Sequence, residues 1–250
     1  MYNLSQMRTP LFAPVFCILG LACALAQTPA PTNAPAPLRV RQPWELEWAY
    51  LSRYRDADAK LGPPQASEKR VVFLGDSITQ FWGETDGKFF SDKPYVNRGI
   101  GGQTTSQMLV RFRQDVIGLT PAVVVILGGT NDIAENGGLT TLEAIEENLQ
   151  SMVELARLHG IRVVLASVLP TLDYPWRPGL KPADKISGLN RWMEEFCTQN
   201  HLVYLDYYSA MVDASRAMRP DLSGDGVHPD LAGYLVMEPL TEEAIRTALE

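Results

Sequence analysis

The stretch "VVVIL", Val123–Leu127, constrains this chain more than any other. Its β-branched side chains favour an extended backbone. With no polar residue in the run, neither face of such a strand can be turned to water, so both must be covered. Strands of that kind belong to parallel sheets with helices packed on either side.

The remainder of the chain from residue 44 repeats the pattern. Short β-branched runs at Val71–Leu74, Tyr95–Asn97, Ala122–Leu127, Arg162–Val168 and Leu202–Leu205 alternate with amphipathic segments. Leu142, Ile145, Leu149, Met152, Val153 and Ala156 mark one helical face, opened by a Thr140/Glu143 capping box. Ile186, Leu189, Trp192, Met193 and Phe196 mark a second, and Met108, Phe112 and Val116 a third. A helix is expected over Trp44–Leu61, and a last one over Leu231–Leu249 with a kink at Pro239. Strand and helix in alternation predict a three-layer α/β/α domain around a doubly wound, mostly parallel five-stranded sheet, with right-handed crossovers. The expected organisation is a signal peptide at 1–26, a Pro/Ala-rich linker at 27–43 and a single domain at 44–250.

The signal segment is read from Arg8, the apolar run Leu11–Ala26 and the small residues Ala24 and Ala26 before Gln27. That run is shorter than the ~20 residues a spanning helix needs. "GLAC", ending at Cys23, is the lipoprotein alternative, although Gly20 stands where lipoprotein signals carry leucine. The expectation is export of a soluble product to the periplasm or the exterior, without stable membrane association. Residues 27–43, "QTPAPTNAPAPLRVRQP", have the composition of an extended tether. After cleavage only Cys197 remains, so no internal disulfide can form and a hydrophobic content of 46% must supply the core. Cys197 falls among apolar helical positions, as a buried structural thiol does. Net charge is −7, and no basic run suits nucleic acid.

In open parallel sheets ligands bind at the carboxyl ends of the strands. His159 in "HGIRVV" and His201 in "NHLVYL" lead into strands, so both lie at the opposite edge, at helix ends. His228, in "LSGDGVHPD", follows the last strand and can face the binding edge. Three other loops face it too. Ser77 follows the first strand, where Asp76 and Ser77 are also apt to cap the next helix. "NRGIGGQTT" follows the second strand, with Gly101 and Gly102 able to bring backbone N–H groups close to a ligand. "GGTND" follows the third and carries the carboxamide of Asn131.

A hydroxyl, an imidazole, backbone amides and a carboxamide are the parts of acyl transfer. Asp225, three residues before His228, can bond Nδ1 and leave Nε2 to the serine. The glycine-rich stretch is neither a Walker loop nor a dinucleotide fingerprint. Asp225, His228 and Asp230 lack a second nearby histidine for a metal. Neither a cofactor nor a metal is expected. The α/β-hydrolase fold shares the Ser–Asp–His order but uses G-x-S-x-G, with acid and base on separate loops.

The segments "FLGDSIT", "NRGIGGQTT", "GGTND" and "DGVHPD", in that order, resemble the SGNH hydrolase superfamily, the GDSL esterases/lipases. The resemblance covers residues 70 to 238 and implies a flavodoxin-like SGNH hydrolase fold. It also implies Ser77 as nucleophile, His228 as base and Asp225 as orienting acid. The oxyanion hole would comprise the N–H groups of Ser77 and Gly102 and the side chain of Asn131, with Gly101 a rival to Gly102 by one position. Ile78 stands where most members carry leucine.

The expected function is an exported serine esterase acting on short acyl esters of carbohydrates or other small molecules. Thioesterase or lysophospholipase action is the variant, and a non-catalytic carbohydrate-binding protein on the same fold is the other class. Asp76, Trp176 and Arg177 are the candidate substrate contacts. The last two lie with Tyr174 in "TLDYPWRPGLKP", a loop after the fourth strand that offers stacking surfaces and a cation.

Overall fold

The computed structural model describes residues 47–84 and 90–250. The expected signal segment and linker, and residues 44–46 of the first expected helix, lie outside the described residues.

Five strands form one sheet: β1 (Val71–Gly75), β2 (Tyr95–Gly99), β3 (Val123–Leu127), β4 (Arg162–Ala166) and β5 (Val203–Leu205). Their order is β2-β1-β3-β4-β5 and every pairing is parallel. The chain steps outward from β1 to β2, then crosses back to β3 and continues the other way. The reversal leaves a crevice at the carboxyl ends of β1 and β3, where ligands of such folds bind. Gly75 pairs in register with both Gly99 and Leu127, so the three strands feeding the crevice end level.

Eight helices accompany them among the described residues: α1 (Arg55–Leu61), α2 (Ser77–Phe81), α3 (Thr105–Asp115), α4 (Thr130–Ile133), α5 (Leu142–Leu158), α6 (Ala183–Asn200), α7 (Tyr207–Met211) and α8 (Leu231–Leu249). Alternation along the strands divides the core in two. Val72, Leu74, Val124, Ile126, Val163 and Leu165 pack with Met108 and Phe112 of α3, Ile145 and Leu149 of α5, and Ile186 and Leu189 of α6. Val71, Phe73, Val123, Val125, Val164 and Ala166 face the other way, against Ile78 of α2 and Tyr234, Met237 and Ile245 of α8. All five residues of β3 are buried, as its composition required. Burying each such side chain contributes about 1.5–3 kcal/mol.

The structure corrects the sequence reading in places. The N-cap of α5 is Thr141, whose hydroxyl accepts from the Ala144 N–H at 3.2 Å, so the expected Thr140/Glu143 box is one residue out of phase. The first described helix is only Arg55–Leu61; residues 47–53 form turns, with Tyr50 at φ +50°. Three short helices, α2, α4 and α7, are too brief to carry a periodicity. Pro239 sits within α8 without ending it. His159 and His201 are the C-caps of α5 and α6, at the edge opposite the crevice. Cys197 is buried, and burial pushes its thiol up to about 12.

Candidate active site

Ser77 is placed by the tightness of the β1–α2 turn. A side chain at Gly75 would collide with Thr79, so only glycine lets the helix begin so close to the strand. Asp76, not Ser77, is the N-cap of α2: its Oδ1 accepts from the Ile78 N–H at 2.9 Å. Ser77 is therefore the first helical residue, and its own N–H is one of the orphan donors of the helix start. Its hydroxyl points across to His228, with Oγ 2.9 Å from Nε2.

His228 is aimed by the loop that bears it. Its Nδ1 lies 2.7 Å from Asp225 Oδ2. Asp225 Oδ1 accepts from the N–H groups of Val227 at 2.9 Å and His228 at 2.8 Å. Partial burial pushes this carboxyl up, but the bonds from the His228 ring and these N–H groups outweigh it and hold it at about 2. An ionised carboxylate only accepts, so Nδ1 carries the ring proton and Nε2 offers a lone pair to the serine hydroxyl. Ser223 completes the turn by donating to the His228 carbonyl at 2.7 Å and accepting from the Gly226 N–H at 3.0 Å.

Two further loops bring N–H donors to the segment bearing Ser77. The Gly101 N–H is committed to Gln80 Oε1 at 2.7 Å. Gly102, at φ +76°, has an N–H with no hydrogen-bond partner among the described residues. Asn131 is buried beneath the same loop, its carboxamide held at both ends. Nδ2 donates to Asp76 Oδ2 at 3.1 Å, and Oδ1 accepts from Asn136 Nδ2 at 2.5 Å. An amide nitrogen has two protons, so one remains for a ligand. Asp132 has a separate duty: its carboxylate accepts from the Thr105 N–H and hydroxyl, tying the start of α3 to this loop.

Asp76 does not face substrate. It is 0% exposed, both carboxylate oxygens are engaged, and burial raises its carboxyl to about 6 against the pull of the Ile78 N–H and His228. Its place is under the site, holding Asn131 and the helix start. Tyr174 is likewise wholly buried and offers no stacking surface. Trp176 is 44% exposed, its ring centroid 5.9 Å from that of His228, and its Nε1 donates to Asn136 Oδ1 at 3.0 Å. Arg177 is drawn away, its guanidinium bonded to Glu135 Oε2 at 2.7 Å. The loop therefore brings Trp176 to the site, while the Arg177 cation is neutralised beside it.

Residues the sequence reading missed connect these parts. Asn136 joins Asn131 to Trp176, and Gln80 fixes Gly101. Arg111, wholly buried, donates to the Gly75 carbonyl at 2.9 Å and Gln103 Oε1 at 2.5 Å, and pairs with Asp115 at 2.9 Å. Ser223 was within reach of inference, because a serine two residues before an aspartate marks a side-chain-stabilised turn. Asn136 and Arg111 were not, since only the folded chain brings them to their partners. A cleft of about 910 Å³ opens beside Gly101 and Gly102 and extends to Trp48, Tyr50 and Arg53. Among the described residues no group of three or more His, Cys, Asp or Glu is gathered to hold a metal ion. No described helix is long and apolar enough to cross a membrane.

The sequence model of the GDSL-like Lipase/Acylhydrolase family matches residues 73–236, a span containing Ser77, Gly102, Asn131, Asp225 and His228. The chain belongs to that family. Its enzyme class is that of the carboxylic ester hydrolases. A crystal structure of a GDSL-like lipase from Bacteroides thetaiotaomicron is similar at 45% identity and a TM-score of 0.79, covering 81% of this chain and 100% of that one. An acetylxylan esterase of Geobacillus stearothermophilus is 26% identical over 151 residues, 57% of this chain and 67% of the relative. An uncharacterised lipoprotein of Bacillus subtilis is 37% identical over 81 residues, 31% of this chain and only 33% of the lipoprotein.

Proposed function

We propose that the protein is an exported serine esterase that removes short acyl groups, acetyl foremost, from carbohydrate or other small esters through an acyl-enzyme. The observation that carries this reading is the unbroken hydrogen-bonded chain Asp225–His228–Ser77. His228 Nε2 takes the Ser77 proton as Oγ attacks the ester carbonyl. The carbonyl oxygen becomes an oxyanion held by the N–H groups of Ser77 and Gly102 and the remaining proton of Asn131. The positive end of α2 adds to this, since the attacked carbon sits over its first residue. The tetrahedral intermediate collapses as His228 returns the proton to the departing alcohol. Water then repeats the sequence on the acyl-enzyme, freeing the acid. Asp225 holds the ring in place and stabilises the imidazolium.

Sugar-like alcohols suit the cleft that adjoins the Ser77 turn at Gly101. The adjoining cleft is rich in amide side chains, including Gln80, Gln107 and Asn136. The acetylxylan esterase relative supports the same substrate class. A panel of p-nitrophenyl esters of increasing chain length, run beside acetylated xylan fragments, tests it. Rates that fall steeply beyond short acyl chains are expected, and a preference for long chains would refute the reading. Export is tested at the other end of the chain. N-terminal sequencing is expected to find Gln27 first, and a lipidated Cys23 would place the protein on a membrane instead.

Asn131→Ala is expected to lower kcat by about 10²–10³, or ~3–4 kcal/mol, with KM nearly unchanged, because the donor acts mainly in the transition state. The melting temperature falls too, since Asp76 Oδ2 loses its partner. Measuring kcat per folded molecule separates the effects; a weakened but fully active variant would remove Asn131 from the mechanism.

A further inference from the structure

We propose that the cleft beside Gly101 and Gly102 binds the alcohol part of the ester, and that Arg53 selects alcohols bearing a carboxylate, such as acylated acidic saccharides. The inference rests on the esterase reading above and adds the chemistry of its substrate. An acetyl group spans a few heavy atoms, whereas this cleft of about 910 Å³ lies at the upper end of small-molecule sites. The larger half of the substrate is what can fill it.

The cleft is a built feature. Residues 48–51 cross its wall, pinned by three glutamine side chains. Gln107 Nε2 donates to the Trp48 carbonyl at 2.5 Å, Gln103 Nε2 to that of Ala49 at 2.9 Å, and Gln114 Nε2 to that of Leu51 at 2.5 Å. Between these anchors Tyr50 takes a left-handed conformation, φ +50°, that a non-glycine residue adopts only when its surroundings impose it. With its backbone fixed, the segment leaves the Trp48 ring 60% exposed at the cleft. An aromatic plane in that position suits the C–H face of a sugar ring.

Arg53 is the charged side chain of the cleft lining; the rest is aromatic, aliphatic, amide or glycine. Its guanidinium carbon sits 5.2 Å from the centroid of the Tyr54 ring, and Tyr54 is anchored through its hydroxyl to the Gly99 carbonyl at the end of β2. The neighbouring Arg98, over the same ring, is neutralised by Asp58. Arg53 has no carboxylate partner among the described residues. A stacked guanidinium keeps its N–H edges free, and a planar fork of donors matches a carboxylate. Gln80, whose Oε1 is spent on Gly101, has its NH₂ left for a hydroxyl.

The test compares two substrates that differ only at C6, carboxylate against hydroxymethyl: a mono-O-acetylated methyl glucuronoside and the corresponding methyl glucoside. Wild type is expected to favour the uronoside by about tenfold in kcat/KM, the scale of one hydrogen-bonded charge pair. Raising the salt concentration should shrink the ratio. Arg53→Gln should bring it to about one, through KM for the uronoside, and Arg53→Lys should retain part of it. Because both rates come from one preparation, the ratio is independent of the folded fraction. Equal rates on the pair in wild type, or an unchanged ratio in Arg53→Gln, overturn the role of Arg53 while leaving the esterase reading intact. No hydrolysis of either sugar ester or of p-nitrophenyl acetate would overturn both.

Discussion

Replacing Ser77 by alanine is expected to lower kcat by about 10⁶-fold, or ~8 kcal/mol, the order found when the nucleophile of such a constellation is removed. In the proposed mechanism the Ser77 hydroxyl forms the acyl-enzyme, so its loss closes the covalent route. The variant should fold as the parent does, because the side chain makes one hydrogen bond, to His228, and the helix cap belongs to Asp76. The two groups act as a unit, so Ser77→Ala/His228→Ala should be no slower than Ser77→Ala alone. A fluorophosphonate probe gives a second readout, labelling the parent and not the alanine variant. Residual activity within tenfold of the parent would show that another group is the nucleophile. Additive losses in the double variant would show that His228 acts independently of Ser77.

The sheet was legible because its strands obey a simple physical rule. Val71–Leu74 and Val123–Leu127 have no polar face, so covering both sides is the only solution, and the three-layer architecture follows. Their ends were less legible. β4 stops at Ala166, short of the expected Val168, because the Val168 N–H and carbonyl both turn to the Asn190 carboxamide. The region 47–54, expected to be part of a helix, is a series of turns. What holds it is side-chain bonding from Gln103, Gln107 and Gln114, and no local pattern announces that.

The site was legible where one loop supplies both partners. Asp225 and His228 are three residues apart, so their bond is a local property of a turn. Sorting loops by sheet edge then sufficed to bring Ser77 to them. Asp76 was the misjudged neighbour. It was expected to contact substrate, but it caps α2 and is wholly buried beneath the site. For Arg177, what the sequence alone does not show is its partner Glu135, a carboxylate brought from another loop.

Arg111→Met is expected to destabilise the fold by about 3–5 kcal/mol, the scale for breaking a buried ion pair on one side. Arg111 is 0% exposed and lies beneath the β1–α2 turn. Its guanidinium serves three acceptors at once: the Gly75 carbonyl, Gln103 Oε1 and Asp115 Oδ2. Methionine keeps the stem and fills space, but leaves the Asp115 carboxylate buried and uncompensated. That carboxylate has no reserve, because its Oδ1 already lacks a hydrogen-bond partner. For a domain of this size the melting temperature should fall on the order of 10 °C. The loss should be recoverable. Arg111→Met/Asp115→Leu removes both charges, and replacing a buried pair by apolar side chains is often neutral, so most of the stability should return. Activity should not recover with it, since Gln103 still lacks the donor that steadies the loop bearing Gly101 and Gly102. Denaturant titration and kcat per folded molecule on both variants read these outcomes separately. A single variant within 1 kcal/mol of the parent (the upper range of an exposed pair) would show that Arg111 is not a structural keystone. A double variant restored in both stability and turnover would detach it from the oxyanion loop.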